Sequence, residues 1–232
     1  MCARRPEGLR TCTSMGAEAH TALGAAGAGE TATQDRRVDD YRRRRIWRAS
    51  DYLEGAAMTI KVGDRLPAGT LWEFIEEETP GCSVGPNSFE VGEIAAGKKV
   101  AIFGLPGAFT PTCSAKHLPG YLQKAGLLRS QGFDEIWCLS VNDAFVMGAW
   151  GREQGAGSKV RMLGDGSGAY AKALGLEFDL NARGLGLRMQ RFSAIVVDGV
   201  VKSLNVEAPG KFEVSDAETL LKQAEKVINY MP

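Results

Sequence analysis

The chain has no net charge: 28 Lys and Arg balance 28 Asp and Glu. It therefore offers no whole-molecule field for nucleic acid or an anionic membrane surface. Only two histidines are present, His20 and His117, far apart in the sequence, so a His-rich metal centre has few ways to form. Five cysteines in 232 residues are too few for a disulfide scaffold, and none of them makes a Cys-x-x-Cys pair. No unbroken apolar stretch approaches the roughly 20 residues of a membrane helix. Gly164 to Gly168 lacks the Lys and Ser/Thr that would complete a phosphate loop, and Gly184 and Gly186 precede a strand, the wrong context for a dinucleotide site. What is left is an ordinary hydrophobic share of 44% in a chain long enough to bury a core. The first expectation is a soluble, cytoplasmic α/β protein with reduced thiols.

Lysine is also missing locally. Residues 1–57 hold ten Arg and no Lys, whereas 58–232 hold seven Arg and eleven Lys. The first segment is rich in Ala, Gly, Thr and Arg and poor in large apolar residues, so it cannot offset its ordering entropy and is expected to be disordered. It lacks the apolar core of a secretory signal, and its eight acids do not suit a transit peptide. Arg42 to Arg45 is one short basic run, which is ordinarily a solvated patch. The shift in composition fits an over-long start assignment, with the functional chain beginning at Met58. The expected division is a non-native or disordered 1–57 and one folded domain over 58–232.

After Met58 the pattern is regular. Leu71 to Ile75 reads as a strand and Gly81 to Asn87 as a loop. Lys99 to Leu105 and Glu135 to Val141 are apolar strands, and Leu118, Tyr121, Leu122, Ala125 and Leu128 recur at helical spacing between them. Pro119 lies inside that helix and should kink it. Asp143 to Glu153 is helical, capped by Asn142 or Asp143. Arg161 to Leu163 is a short strand and Ala169 to Leu174 a short helix. Phe192 to Val197 and Val200 to Val206 flank Asp198-Gly199, a hairpin signal. Leu220, Leu221, Ala224, Val227 and Ile228 mark a final amphipathic helix. The order from Lys99 is β-α-β-α, then a hairpin, then α. The first crossover implies parallel strands. This is a thioredoxin-like arrangement: a central mixed sheet flanked by helices, with insertions before it and in mid-domain.

Such a sheet presents the start of its first core helix at the end of a central strand. Here that junction reads Pro106-Gly107-Ala108-Phe109-Thr110-Pro111-Thr112-Cys113-Ser114. Unpaired backbone N–H groups in the first helical turn favour a thiolate at Cys113. Thr110 is three residues earlier; its hydroxyl can reach the sulfur or a bound oxygen, or simply cap the helix. Pro106 and Pro111 stiffen the loop and shield the sulfur. With no second cysteine in the motif, the site is a single nucleophile rather than a dithiol. His117 lies on the same helix face as Cys113, where a packing or hydrogen-bonding role suits it better than that of a base or metal ligand.

The run Pro106-x-x-x-Thr110-x-x-Cys113 in this context resembles the peroxiredoxins. Its continuation through His117-Leu118-Pro119-Gly120 is similar to the type II, peroxiredoxin-five-like branch. So are Ser140-Val141-Asn142-Asp143-Ala144-Phe145-Val146, Trp150-Gly151, Arg191-Phe192-Ser193 and Leu204-Asn205-Val206-Glu207. The loop Gly81 to Asn87 resembles that of the bacterial members. The resemblance covers about Met58 to Met231. It implies reduction of hydrogen peroxide and organic hydroperoxides in antioxidant defence, through a sulfenic acid on Cys113, with no cofactor and no metal. It assigns Arg191 as a permanent cation beside the sulfur, Thr110 as a hydrogen-bonding partner of thiolate and peroxide, Pro106 as a cover over the pocket, and the Cys113 N–H as an oxyanion donor. Arg188 is separated from Arg191 by that motif alone. The resemblance also implies a homodimer formed through loops near the site.

The reductant stays open. Cys138 lies 25 residues after Cys113 in a core strand, a spacing at which plant-type members carry a proposed resolving thiol. A buried strand position is also the usual home of an inert cysteine, and a disulfide would require local unfolding. The stretch Glu207 to Glu218 holds no cysteine, which removes the animal-type resolving route. Cys82 is a weaker candidate. An inert Cys138 points to glutathione with glutaredoxin as donor; a resolving Cys138 points to thioredoxin. A peroxide sensor or relay, passing oxidation to partner proteins, is the alternative to a turnover enzyme.

Overall fold

The computed structural model describes residues 59–78 and 80–228. The expectations for residues 1–57 and for a start at Met58 lie outside the described residues. The elements run β1 (Thr70–Ile75), β2 (Gly85–Glu90), α1 (Val91–Ala95), β3 (Lys99–Leu105), a π-helical turn (Cys113–His117) continuing into α2 (Leu118–Ser130), β4 (Glu135–Ser140), α3 (Ala144–Glu153), β5 (Arg161–Gly164), α4 (Ala169–Ala173), β6 (Glu177–Leu180), β7 (Gly186–Met189), β8 (Phe192–Val197), β9 (Val200–Val206) and α5 (Ala217–Ile228).

One seven-stranded sheet has the order β2-β1-β5-β4-β3-β8-β9. The pairs β3·β4 and β4·β5 are parallel, and the others are antiparallel. This is the expected thioredoxin-like mixed sheet. Strand β3 sits near its middle and alternates side chains between two faces. Ala101, Phe103 and Leu105 pack with Tyr121 and Leu128 of α2, Trp150 of α3 and Leu220 of α5. Val100 and Ile102 face the opposite layer, with Trp137, Leu163, Tyr170 and Leu174. Asp198 and Gly199 both adopt positive φ, +48° and +72°, as the two-residue hairpin between β8 and β9 requires.

Three features depart from the sequence reading. Gly85, Pro86 and Asn87 are strand rather than loop, paired with β1 at the sheet edge. An edge strand tolerates the missing N–H of proline. Strands β6 and β7, which were not anticipated, form a two-stranded sheet of their own. Finally, the helix changes from π to α form immediately before Pro119. The Leu118 N–H reaches back five residues to the Cys113 carbonyl. The widened turn accommodates the break that Pro119, with no N–H to give, imposes on α-helical register.

The far end of the sheet is tied by charge. Arg161 bonds Glu73 at 2.7 Å and Glu135 at 3.0 Å, and Lys98 reaches Glu135 at 2.7 Å. The Trp137 indole N–H also donates to Glu135. Burial works against the Glu135 carboxylate, but Arg161, Lys98 and Trp137 outweigh it and hold the group down to about 2. A carboxyl depressed in the folded state adds stability above its unfolded range and loses it as pH falls through the folded value. Unfolding free energy should therefore drop between about pH 5 and pH 2, and Glu135→Gln should flatten that drop while lowering stability at neutral pH. Denaturant titrations at several pH values check this; equal acid slopes in the two proteins would contradict it.

Candidate active site

The loop between β3 and the π turn carries the site. Backbone helical geometry begins at Pro111, and the Thr110 carbonyl accepts the Ser114 N–H at 2.9 Å. Thr110 thus caps the helix through its backbone and Cys113 falls in the first turn, as expected. Asn142 holds the preceding loop from the neighbouring strand end: its Oδ1 accepts from the Ala108 N–H at 3.0 Å and the Ser140 hydroxyl at 2.8 Å. Phe109 is forced to φ +61°, a conformation non-glycine residues rarely take. Its ring lies half exposed, with its centroid 6.4 Å from that of Trp150. The Trp150 indole N–H donates to the Ser114 hydroxyl at 3.1 Å, fastening α3 to the π turn beside Cys113.

Arg191 is the cation at the sulfur. Its Nη2 donates to Cys113 Sγ at 3.4 Å, and its Nη1 meets His117 Nδ1 at 2.9 Å. His117 Nε2 lies 3.1 Å from the Ser215 carbonyl. A carbonyl only accepts, so the imidazole carries its proton on Nε2 and offers the Nδ1 lone pair to Arg191. Burial, followed by the charge of Arg191, pushes His117 down to about 3, so the ring is neutral at ordinary pH. His117 is therefore a hydrogen-bonding residue, and its specific partner is Arg191. The rings of Phe103 and Phe212 enclose it, with centroids 5.0 Å from the imidazole in both cases. Phe212 also lies under the Arg191 guanidinium, 5.5 Å away.

Behind His117 stands Glu207. Its Oε1 accepts from the backbone N–H groups of Glu213, Val214 and Ser215 and from the Ser215 hydroxyl, at 2.7–2.9 Å. Burial raises its pKa, but these four donors outweigh burial and lower it overall. The Glu207 N–H donates to the Arg191 carbonyl at 2.9 Å. One carboxylate thus folds the 207–215 loop so that the Ser215 carbonyl faces His117. Sequence reasoning quoted Glu207 only as part of a motif. Its donors lie six to eight residues away, which leaves no local pattern to read.

The other expected residues are placed as follows. The Thr110 hydroxyl donates to the Gly107 carbonyl at 2.8 Å, so its proton is directed away from the sulfur. Pro106 and Thr110 line a cavity of about 380 Å³ together with Arg191. Cys113 itself has no exposed surface. Arg188, which the sequence could not separate from Arg191, turns instead to the Pro106 carbonyl at 3.5 Å and the Leu185 carbonyl at 2.7 Å. Cys138 is wholly buried in β4 and bonded to no other cysteine; burial and then the nearby Cys113 charge push its thiol well up. Cys82 is also buried and unpaired. No group of three or more metal-ligating side chains occurs among the described residues, and none of their helices is long and apolar enough to cross a membrane.

Comparison with known proteins gives this arrangement its family. The redoxin family profile matches residues 61–221. The chain is 49% identical to peroxiredoxin-2B of Arabidopsis thaliana over 163 residues, which is 70% of this chain and 97% of that protein. A Burkholderia cenocepacia crystal structure, described as that of a candidate thioredoxin reductase, is 60% identical with a TM-score of 0.70, covering 71% of this chain and 97% of the other. The reduced Prx3 of Vibrio vulnificus, crystallised with H2O2, is 49% identical with a TM-score of 0.66, covering 72% and 99%. The chain belongs to the redoxin family and, within it, is a type II peroxiredoxin, a thiol peroxidase of antioxidant defence.

Proposed function

We propose that Cys113 is the peroxidatic nucleophile and that the chain reduces hydrogen peroxide and organic hydroperoxides through a cysteine sulfenic acid. The observation that carries this reading is the Arg191 guanidinium, fixed 3.4 Å from Sγ. A permanent cation at that distance stabilises a thiolate and polarises the incoming O–O bond. The sulfur attacks one peroxide oxygen in line; the S–O bond forms as the O–O bond breaks. The leaving oxygen takes up a proton and departs as water or an alcohol. Negative charge builds on that oxygen, where Arg191 and the Cys113 N–H act as preorganised donors. Thr110, whose hydroxyl donates its proton to the Gly107 carbonyl, offers lone pairs to the O–H of the peroxide. Pro106 covers the pocket. The capture of a 49% identical relative with H2O2 supports the same substrate here.

For recycling we favour glutathione with glutaredoxin. Cys138 is fully buried in a paired strand, and its thiol is held in the protonated, unreactive form. An external thiol then attacks the sulfenic acid. Thioredoxin becomes the donor only if β4 opens enough for Cys138 to reach Cys113. Exposed Phe109, in the loop that carries the site, and Phe145, at the start of α3, supply apolar surface for the proposed homodimer. Reduced thiols in the cytoplasm are the proposed setting.

Intact mass after one equivalent of peroxide separates the routes. A gain of about 16 mass units, absent in Cys113→Ser, is expected. A loss of about two mass units that disappears in Cys138→Ser would overturn the donor assignment. Steady-state peroxide turnover with glutathione and glutaredoxin should accompany the gain; oxidation without turnover would indicate a sensor instead. His117 provides a second test. His117→Leu should slow Cys113 oxidation roughly tenfold, the size of one hydrogen bond to a charged group. His117→Gln, which keeps an acceptor for Arg191 and a donor for Ser215, should recover most of the rate. Equal rates in the two variants would deny His117 its positioning role.

A further inference from the structure

The cavity that reaches the site through Pro106, Thr110 and Arg191, the residue bonded to Cys113, is far larger than the smallest substrate needs. A water molecule occupies about 30 Å³ of liquid, and hydrogen peroxide is only slightly bigger, whereas the cavity measures about 380 Å³. Its lining includes Phe178, Leu180 and Leu185, carried by the β6–β7 insertion, together with Pro106 and Pro111. These surfaces suit an apolar chain. The charges are lopsided: Arg183, Arg191 and Lys211 line the cavity against the single carboxylate of Glu207. Glu207 already serves four donors, and Arg191 is engaged with Cys113 and His117. Arg183 is exposed on the β6–β7 connection and makes no hydrogen bond or ion pair among the described residues. Lys211 has only an exposed partner, Glu213 at 3.2 Å, a weak class of contact.

We propose that this cavity selects hydroperoxides built on an apolar chain that ends in a carboxylate, with the chain against the β6–β7 wall and the carboxylate held by Arg183 and Lys211. The proposal rests on Cys113 being the peroxide-reducing thiol. The chemistry is unchanged: the Cys113 thiolate takes the terminal oxygen of ROOH to become a sulfenic acid, and the RO⁻ fragment picks up a proton and leaves as the alcohol. Sulfur loses two electrons, the O–O bond gains them, and a small thiol reductant later returns them. A peptide thiol is also anionic, but its polar amides find few partners on walls of Phe, Leu and Pro.

The test compares a long-chain fatty-acid hydroperoxide with its methyl ester, both kept below micelle formation, using the full chain with saturating dithiothreitol. The acid should show roughly tenfold higher kcat/KM at low salt, and the preference should shrink towards unity as ionic strength rises. The double variant Arg183→Glu/Lys211→Glu should abolish or reverse it. Equal kcat/KM for acid and ester, a preference that survives charge reversal, or, in a parallel assay with glutathione in place of dithiothreitol, a defect of the double variant confined to KM for glutathione would each overturn the proposal. Hydrogen peroxide turnover by the unmodified protein separates the two levels. If it is present while acid and ester react equally, only this proposal falls; if it is absent, the peroxidase reading falls as well.

Discussion

The contact on which the site depends is the 3.4 Å approach of Arg191 to the Cys113 sulfur. A guanidinium is an unusually long arm, and leaving it free would cost both entropy and aim. Here its second nitrogen is bonded by a neutral imidazole whose tautomer is set by the Ser215 carbonyl, and its face rests on Phe212. Ser215 is placed by Glu207, whose own backbone bonds Arg191. The chain of contacts closes on itself, so the cation's direction is fixed before substrate arrives. That is the condition under which a charge lowers a barrier without reorganising.

The fold serves this arrangement from two sides. Strand β3 ends at Leu105, just before Pro106, and delivers the nucleophile; its antiparallel neighbour β8 begins just after Arg191 and delivers the cation. Gly104 leaves room for the residues beside it: a Cβ there would run into the Phe192 ring and the Met189 sulfur. The π turn places Cys113 and His117 on one side of the helix despite Pro119. Trp150 then locks that turn through Ser114. The β6–β7 hairpin pairs outside this sheet and meets the site through Arg188, which reaches the Pro106 carbonyl, and through buried Met189.

Much of this was legible from the residues. Lys99–Leu105 is a strand because a short β-branched and aromatic run with no polar face belongs in the middle of a sheet covered on both sides, and its limits match the sequence reading. The place of Cys113 at a helix start followed from the flanking prolines and the change of hydrophobic period. What local pattern could not show is tertiary. Gly85-Pro86-Asn87 carries loop chemistry, yet pairing with β1 overrides it. Strands β6 and β7 are short and largely exposed, with no continuous apolar run to mark them. Arg188, in β7, and Arg191, just before β8, differ only in where the fold sends their side chains. Glu207 gathers its partners across a loop that no spacing rule describes.

The most direct measurement is the rate of Cys113 oxidation by hydrogen peroxide, followed in stopped flow by tryptophan fluorescence, with Arg191 replaced by lysine. Lysine keeps the charge but cannot hold the sulfur and His117 together through two nitrogens. A fall of about a hundredfold is expected, the size of losing one preorganised donor at a developing charge. A rate equal to that of the unmodified protein would show that a nearby positive charge suffices, and that the clamp through His117 and Glu207 does not govern the chemistry.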